Sequence, residues 1–272
     1  MKPTLAVLAM TLSVCAAALA QDDSGRMVIQ GHGGSKPRQV NVTSHNGSVH
    51  VKTYSGNDLA VTPCGTTRVA TGRRNSATPP PPPGMHRLNS SYRDVEVDEA
   101  DNVFTVRTGG MAQCLSLEVP LQTSIKVEAH NGPVEIDGVH GDVEIDSHNG
   151  HVTMTNVSGT ANVSSRNGTI IASMDRVEAT KPTSFSGVNG KIDITLPADL
   201  KANLKLKAFQ GDIWTDFDVM MSGARPTSTL SSSQNGRYKV NFDRTITGTI
   251  NGGGVDITLN TLNGAIYIHK KK

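Results

Sequence analysis

Between residues 132 and 172 apolar and polar positions alternate in short runs, and glycine separates the runs. Gly132, Gly141, Gly150, Gly159 and Gly168 stand nine residues apart. An apolar-polar-apolar triplet follows each of the first four: Val134-Glu135-Ile136, Val143-Glu144-Ile145, Val152-Thr153-Met154 and Ala161-Asn162-Val163. After the fifth comes Ile170-Ile171-Ala172, in which the middle residue is also apolar. Period two describes a strand with one buried face. Glycine, usually behind asparagine, allows the positive φ that turns the chain between strands.

Every second corner is more alike than its neighbours. His130-Asn131-Gly132, His148-Asn149-Gly150 and Arg166-Asn167-Gly168 recur every 18 residues, with His140-Gly141 and Ser158-Gly159 between them. A nine-residue half-coil inside an 18-residue coil predicts an all-β fold, a flattened β-solenoid-like stack of short strands with Asn-Gly corners. Residues i and i+18 then lie about 4.8 Å apart. Val134, Val152 and Ile170 form one interior column, and Ile136 and Met154 another. The competing reading is a chain of β-hairpins, because Asn-Gly is also a hairpin-turn signal. Pairing about Asn131-Gly132 would put Pro133, which has no N–H, in the closing hydrogen-bonded pair; the translational match favours the solenoid.

The same signature recurs more loosely at His45-Asn46-Gly47, Val188-Asn189-Gly190, Gln210-Gly211 and Leu262-Asn263-Gly264. Spacings there drift to 21 or 22 residues, which predicts loops inserted at corners. No segment holds a helical period. With five Phe, four Tyr and one Trp in 272 residues, the core must rest on aliphatic side chains in thin layers.

The chain ends divide the molecule further. Residues 1–20 read as a signal peptide: Lys2, an apolar run from Leu5 to Leu19, and Ala18-Leu19-Ala20 before a polar stretch. Cys15 within that run raises lipidation as an alternative, although Val14 stands where a small residue is wanted. Residues 21–37 read as a flexible Gly-rich leader, 38–269 as the β-repeat domain, 65–93 as a Pro-rich loop insertion, and 270–272 as a solvated basic tail. Nothing after the signal is apolar enough for a transmembrane helix. The expected location is therefore exported: periplasmic, cell-surface or secreted. Removing residues 1–20 leaves 25 basic and 24 acidic side chains. That balance argues against nucleic acid as a partner. The two cysteines that remain, Cys64 and Cys114, are expected to pair as a disulfide in an oxidising compartment.

The Asn-Gly-x-Val/Ile-x-Val/Ile repeats, the Leu-Pro step before a strand at Leu196-Pro197, and the ending from Gly252-Gly253-Gly254 to Asn263-Gly264 are similar to the bacterial DUF4097 family. Its members are described as candidate adhesins with β-strand repeats. The resemblance covers roughly 38–269 apart from the 65–93 insertion. It implies a cell-envelope protein with an adhesive role, and it supplies no catalytic residues.

The sequence contains no nucleophile elbow, phosphate loop or zinc-protease helix, and no motif implies a cofactor. Gly252-Gly253-Gly254-Val255-Asp256 lacks the spacing of a calcium repeat and reads as a glycine-rich turn. His130 and His148 occupy equivalent corners but find Arg166 where a third ligand would stand, so they read as turn residues. Glu135 and Asp137 point outward on one side, Glu144 and Asp146 on the other. Paired carboxylates can hydrolyse glycosides, so a polysaccharide-active β-helix enzyme is the alternative function. The primary reading is a non-enzymatic adhesin-like scaffold. Its expected binding face includes Glu135, Glu144, Thr153 and Asn162, with an envelope glycan or protein as partner. Self-association through uncapped strand edges is a third possibility.

Overall fold

The alternation of the sequence is realised as strands whose inward residues are almost wholly buried. The computed structural model describes residues 26–31, 37–63, 95–108, 114–222, 228–232, 238–242 and 245–272. The signal segment with Cys15, the cysteine at 64 and the 65–93 insertion lie outside these residues. Among the described residues there is no helix.

The strands nearest the N-terminus are β1 (Met27–Ile29), β2 (Gln39–Asn46), β3 (Ser48–Tyr54), β4 (Leu59–Pro63), β5 (Val95–Ala100), β6 (Val103–Thr108) and β7 (Cys114–Pro120). The regular repeat gives β8 (Ser124–Asn131), β9 (Val134–Asp137), β10 (Val143–Asn149), β11 (Val152–Gly159), β12 (Ala161–Asn167) and β13 (Ile170–Val177). The remainder are β14 (Thr183–Asn189), β15 (Ile192–Leu196), β16 (Ala202–Gln210), β17 (Ile213–Thr215), β18 (Val219–Met221), β19 (Ser228–Ser232), β20 (Tyr238–Phe242), β21 (Ile246–Ile250), β22 (Val255–Asn263) and β23 (Ile266–Lys270).

Two mostly parallel sheets of ten and eleven strands result, with β19 and β20 forming a separate hairpin. Each coil contributes one strand to each sheet, so the solenoid reading holds. Val49, Val134, Val152, Ile170, Ile192 and Ile266 are in register down the first sheet. Val42, Val127, Ile145, Val163, Phe185 and Leu259 do the same in the second. All are at most 2 % exposed, so each coil is held by apolar burial against its neighbours on both sides. Close to the Asn-Gly corner the sheets converge, and the inward column narrows to Ser44, Ala129, Ser147, Ser165, Gly187 and Thr261.

The corner itself explains the Asn-Gly repeat. Asn131 Nδ2 donates to Asn46 Oδ1 at 3.0 Å, Asn149 to Asn131 at 3.0 Å and Asn167 to Asn149 at 2.8 Å. Asn189 and Asn263 extend this ladder at 2.8 and 2.7 Å. Beside it the glycine backbones approach so closely that a Cβ on Gly150 would overlap the carbonyl oxygen of Gly132, and one on Gly168 that of Gly150. The other corners follow the expected positions: Gly141 N–H donates to Ser158 O at 2.9 Å, and Gly159 takes a φ of 133°.

The order of the coils differs from a simple sequential stack. The coil β2–β3 lies between β6–β7 and β8–β9, and the coil β22–β23 lies between β14–β15 and β16–β17. The spacing of 22 from Gly168 to Gly190 does reflect a loop at a corner, residues 178–182. The spacing of 21 from Gly190 to Gly211 also adds residues at a corner, 197–201, and there the chain passes over a coil, because Gly264 sits between the two glycines in space. Antiparallel strands close three of the four sheet ends: β4 and β1, β5, and β21 with β18. The fourth ends at the three-residue strand β17.

Two expectations about the chain ends are corrected. Within the supposed leader, Met27–Ile29 pairs with β4, and Arg26 bridges to Glu118 at 2.6 Å. In the basic tail Lys270 and Lys271 are docked and Lys272 is exposed: Lys270 lies 5.3 Å from the Phe217 ring centroid, Lys271 N–H donates to Leu196 O, and its ammonium contacts Asp175.

Candidate functional site

Because inward residues fill the core, the reactive side chains of the described residues lie on the two outer faces and the two edges. The four residues expected to share a binding face are divided by the fold. Glu135 and Thr153 are register partners on the outer face of the ten-stranded sheet. Glu144 and Asn162 are register partners on the eleven-stranded sheet, which faces the opposite way.

Their neighbours engage them laterally. Glu135 Oε2 is 2.8 Å from His50 Nδ1, while Glu144 Oε1 is 3.1 Å from Lys126 Nζ. Ser184 donates to Asn162 Oδ1 at 2.9 Å. Asp137 accepts from Thr155 at 2.7 Å and from Asn156 at 3.0 Å, and these hydrogen bonds hold its carboxyl below the usual carboxylate range. A glycosidase acid needs the opposite shift, and Glu135 and Glu144 stand on opposite faces. Glu135 and Glu144 therefore do not flank one substrate, and Asp137 is not held as a glycosidase acid.

At the Asn-Gly edge the histidines stack more extensively than their sequence spacing suggests. His45 and His130 are 5.1 Å apart between ring centroids, as are His130 and His148, with rings within 9° of parallel. The third member, His45, belongs to a recognisable copy of the signature, but it stands 85 positions before His130, outside the 18-residue spacing that would have placed it in the stack. Parallel rings aim their nitrogens side by side rather than at one point. Among the described residues no group of three or more His, Cys, Asp or Glu is placed to hold a metal ion. The Gly252-Gly253-Gly254 segment is a turn, in which Gly253 N–H donates to Ile250 O.

The opposite edge carries an open groove of about 1060 Å³, whose lining includes Arg38, His140, Asp142, Arg176, Glu178 and Lys181. Lys181 Nζ closes on Asp142 at 2.7 Å. That bond, with one from Thr160, keeps the Asp142 carboxyl below its ordinary range, and the same contact raises Lys181. Lys181 and Asp142 thus neutralise each other, while Arg38 donates to Asn57 O and Asn102 Oδ1.

Sequence reasoning missed the aromatic end of the ten-stranded sheet. Trp214 on β17 is in register with Tyr267 on β23, and Tyr267 with Asp193 on β15. Trp214 is 57 % exposed. Asp193 accepts from Lys191 at 2.9 Å and lies 3.3 Å from His269 Nε2. Tyr267 and His269 are parallel, with centroids 6.3 Å apart, and Lys191 Nζ lies 5.8 Å from the Tyr267 centroid. The signal available was Ile266-Tyr267-Ile268, whose outward middle residue is aromatic.

Fold and faces together define a class: a flattened, mostly parallel β-solenoid with side-chain ladders on both outer surfaces. The chain belongs to the Toastrack DUF4097 family, whose model matches residues 19–268. No curated protein sequence matches it. Among solved structures it is similar to a candidate cell adhesion protein from Clostridium sporogenes, at 11 % identity and a TM-score of 0.48, covering 90 % of this chain and 98 % of that one. It is also similar to a candidate adhesin from Bacteroides fragilis, at 12 % identity and a TM-score of 0.28, covering 90 % and 96 % respectively. No helix among the described residues is long and apolar enough to cross a membrane.

Proposed function

We propose that the protein is an exported, non-enzymatic scaffold of the cell envelope that binds another macromolecule through an outer sheet face. The observation that carries this reading is the in-register stacking, which among the described residues presents rigid outward rows of side chains without gathering acids, bases or nucleophiles around one point. Stacked coils tied by backbone ladders and an asparagine ladder give such a face little freedom to lose on binding. Membership of the family agrees with an envelope role.

The apolar run at the start of the chain supports export. So does the pairing of β4 with β7: Pro63 stands opposite Leu115 in an antiparallel register, and the cysteines at 64 and 114 are the next residues beyond that pair. A bridge between them would pin the base of the 65–93 insertion and stabilise by about 4 kcal/mol in the chain-entropy picture.

Residues 21–272 should bind saturably to one member of a panel of glycans and envelope fractions, with no release of reducing ends. Turnover of any glycan would overturn the non-enzymatic reading, and absence of binding across the panel would overturn the adhesive one.

A further inference from the structure

The most exposed aromatic surface on the described residues lies where the fold has least need of it. The chain holds a single tryptophan, and its core is mostly aliphatic. Burying an indole is worth several kcal/mol in such a protein, yet Trp214 stands 57 % exposed on the outer face. Its register partner Tyr267 lies on the same face, and beyond it in the same row come Asp193, Ile171, Thr153 and Glu135. Ile171, the residue that breaks the polar alternation in the sequence, is 42 % exposed.

We propose that this row is a binding platform for a neutral, extended, β-linked polysaccharide, with Trp214 and Tyr267 stacking on sugar rings. The proposal rests on the scaffold reading above and names its partner class. Three features select this ligand. A pyranose ring has an apolar C–H face and a rim of hydroxyls, and the row supplies two aromatic side chains with a polar cluster beside them. Asp193 is engaged by Lys191 and His269, so it is held in place to accept from a hydroxyl. The cluster pairs one cation with one anion, which leaves no net charge to attract a polyanion or a polycation.

Geometry agrees with these three. Register partners in neighbouring strands repeat about every 4.8 Å, close to the advance of one sugar unit in an extended chain. A polysaccharide lying across the strands would meet one side chain of the row per unit. A protein partner is disfavoured, because a stable protein interface covers about 800 Å² per side around an apolar centre. Here the apolar part is two rings and an isoleucine, bordered by polar residues.

The lone tryptophan makes the test direct. Emission from residues 21–272, excited selectively at the indole, is followed during titration with cello-oligosaccharides, chito-oligosaccharides and, as an anionic control, oligogalacturonate. A saturable blue shift with a neutral oligomer is expected, and none with the anionic one. Trp214→Ala and Tyr267→Ala should each weaken binding about tenfold when followed by calorimetry, and Asp193→Asn should weaken it less. Trp214→Phe should retain most of the affinity. Unchanged melting of the variants separates lost binding from lost folding. If neutral glycans bind but emission does not move and Trp214→Ala binds as the parent does, this platform is overturned while the scaffold reading stands. If only a protein fraction binds, the glycan class is overturned and the scaffold again stands. Glycan turnover would overturn both.

Discussion

At Gly150 the space for a side chain is taken by the carbonyl oxygen of Gly132, which belongs to the neighbouring coil. Both partners are backbone, so neither can step aside without disturbing a ladder. Gly150→Ala should therefore cost about 3 kcal/mol, at the severe end for a single methyl, as measured by urea unfolding. Gly252 is a useful contrast, since nothing lies within 4 Å of its would-be Cβ although its φ is 85°. Gly252→Ala should cost only about 1–2 kcal/mol, the strain of the left-handed region. A third residue inverts the usual expectation for a polar group. The Ser165 hydroxyl is buried and has no hydrogen-bond partner among the described residues. Ser165→Ala removes an unsatisfied group from a position already shaped for small residues, and should leave stability unchanged or raise it by about 1 kcal/mol.

Elements show how far the sequence could be read and where reading stopped. Strands, their inward columns and the Asn-Gly corner were legible, because period two and an 18-residue repeat are local signals. The order of coils at each end was not: nothing in Val188-Asn189-Gly190 or Gln210-Gly211 reveals that Gly264 lies between them. The histidine stack was legible for His130 and His148 but not for His45, for the same reason. The outward positions and the opposite sides of Glu135 and Glu144 were legible, but a single binding face holding Thr153 and Asn162 together is not what the two sheets allow. The aromatic row escaped because its members, Trp214, Tyr267 and Asp193, come from three separate stretches. One loop element carries a pH prediction. Asp142 is depressed by Lys181, so the stability it contributes is present above the unfolded value of about 3.9 and is lost as pH falls through its lower folded value. Lys181, being raised, contributes fully below its own unfolded value of about 10.4 and loses that contribution only in strong alkali. Carboxyl NMR titration should find Asp142 below the ordinary range, and Lys181→Met should move it upward.

The whole molecule differs from an open stack of repeats in what happens at its extremities. The first coil in chain order, β2–β3, and the last, β22–β23, are each sandwiched between two others. Fraying from a chain end would have to break ladders on both sides of the departing coil. The placement has a mechanical consequence. A polypeptide tethered at one end and loaded at the other would not unspool coil by coil, because each terminal coil must be sheared out from between two neighbours before any other can yield. Single-molecule pulling from both ends should show one high-force rupture that collapses several coils together, not a staircase of small equal steps. A protein built this way would keep its surface intact under drag up to a threshold, and would fail all at once beyond it.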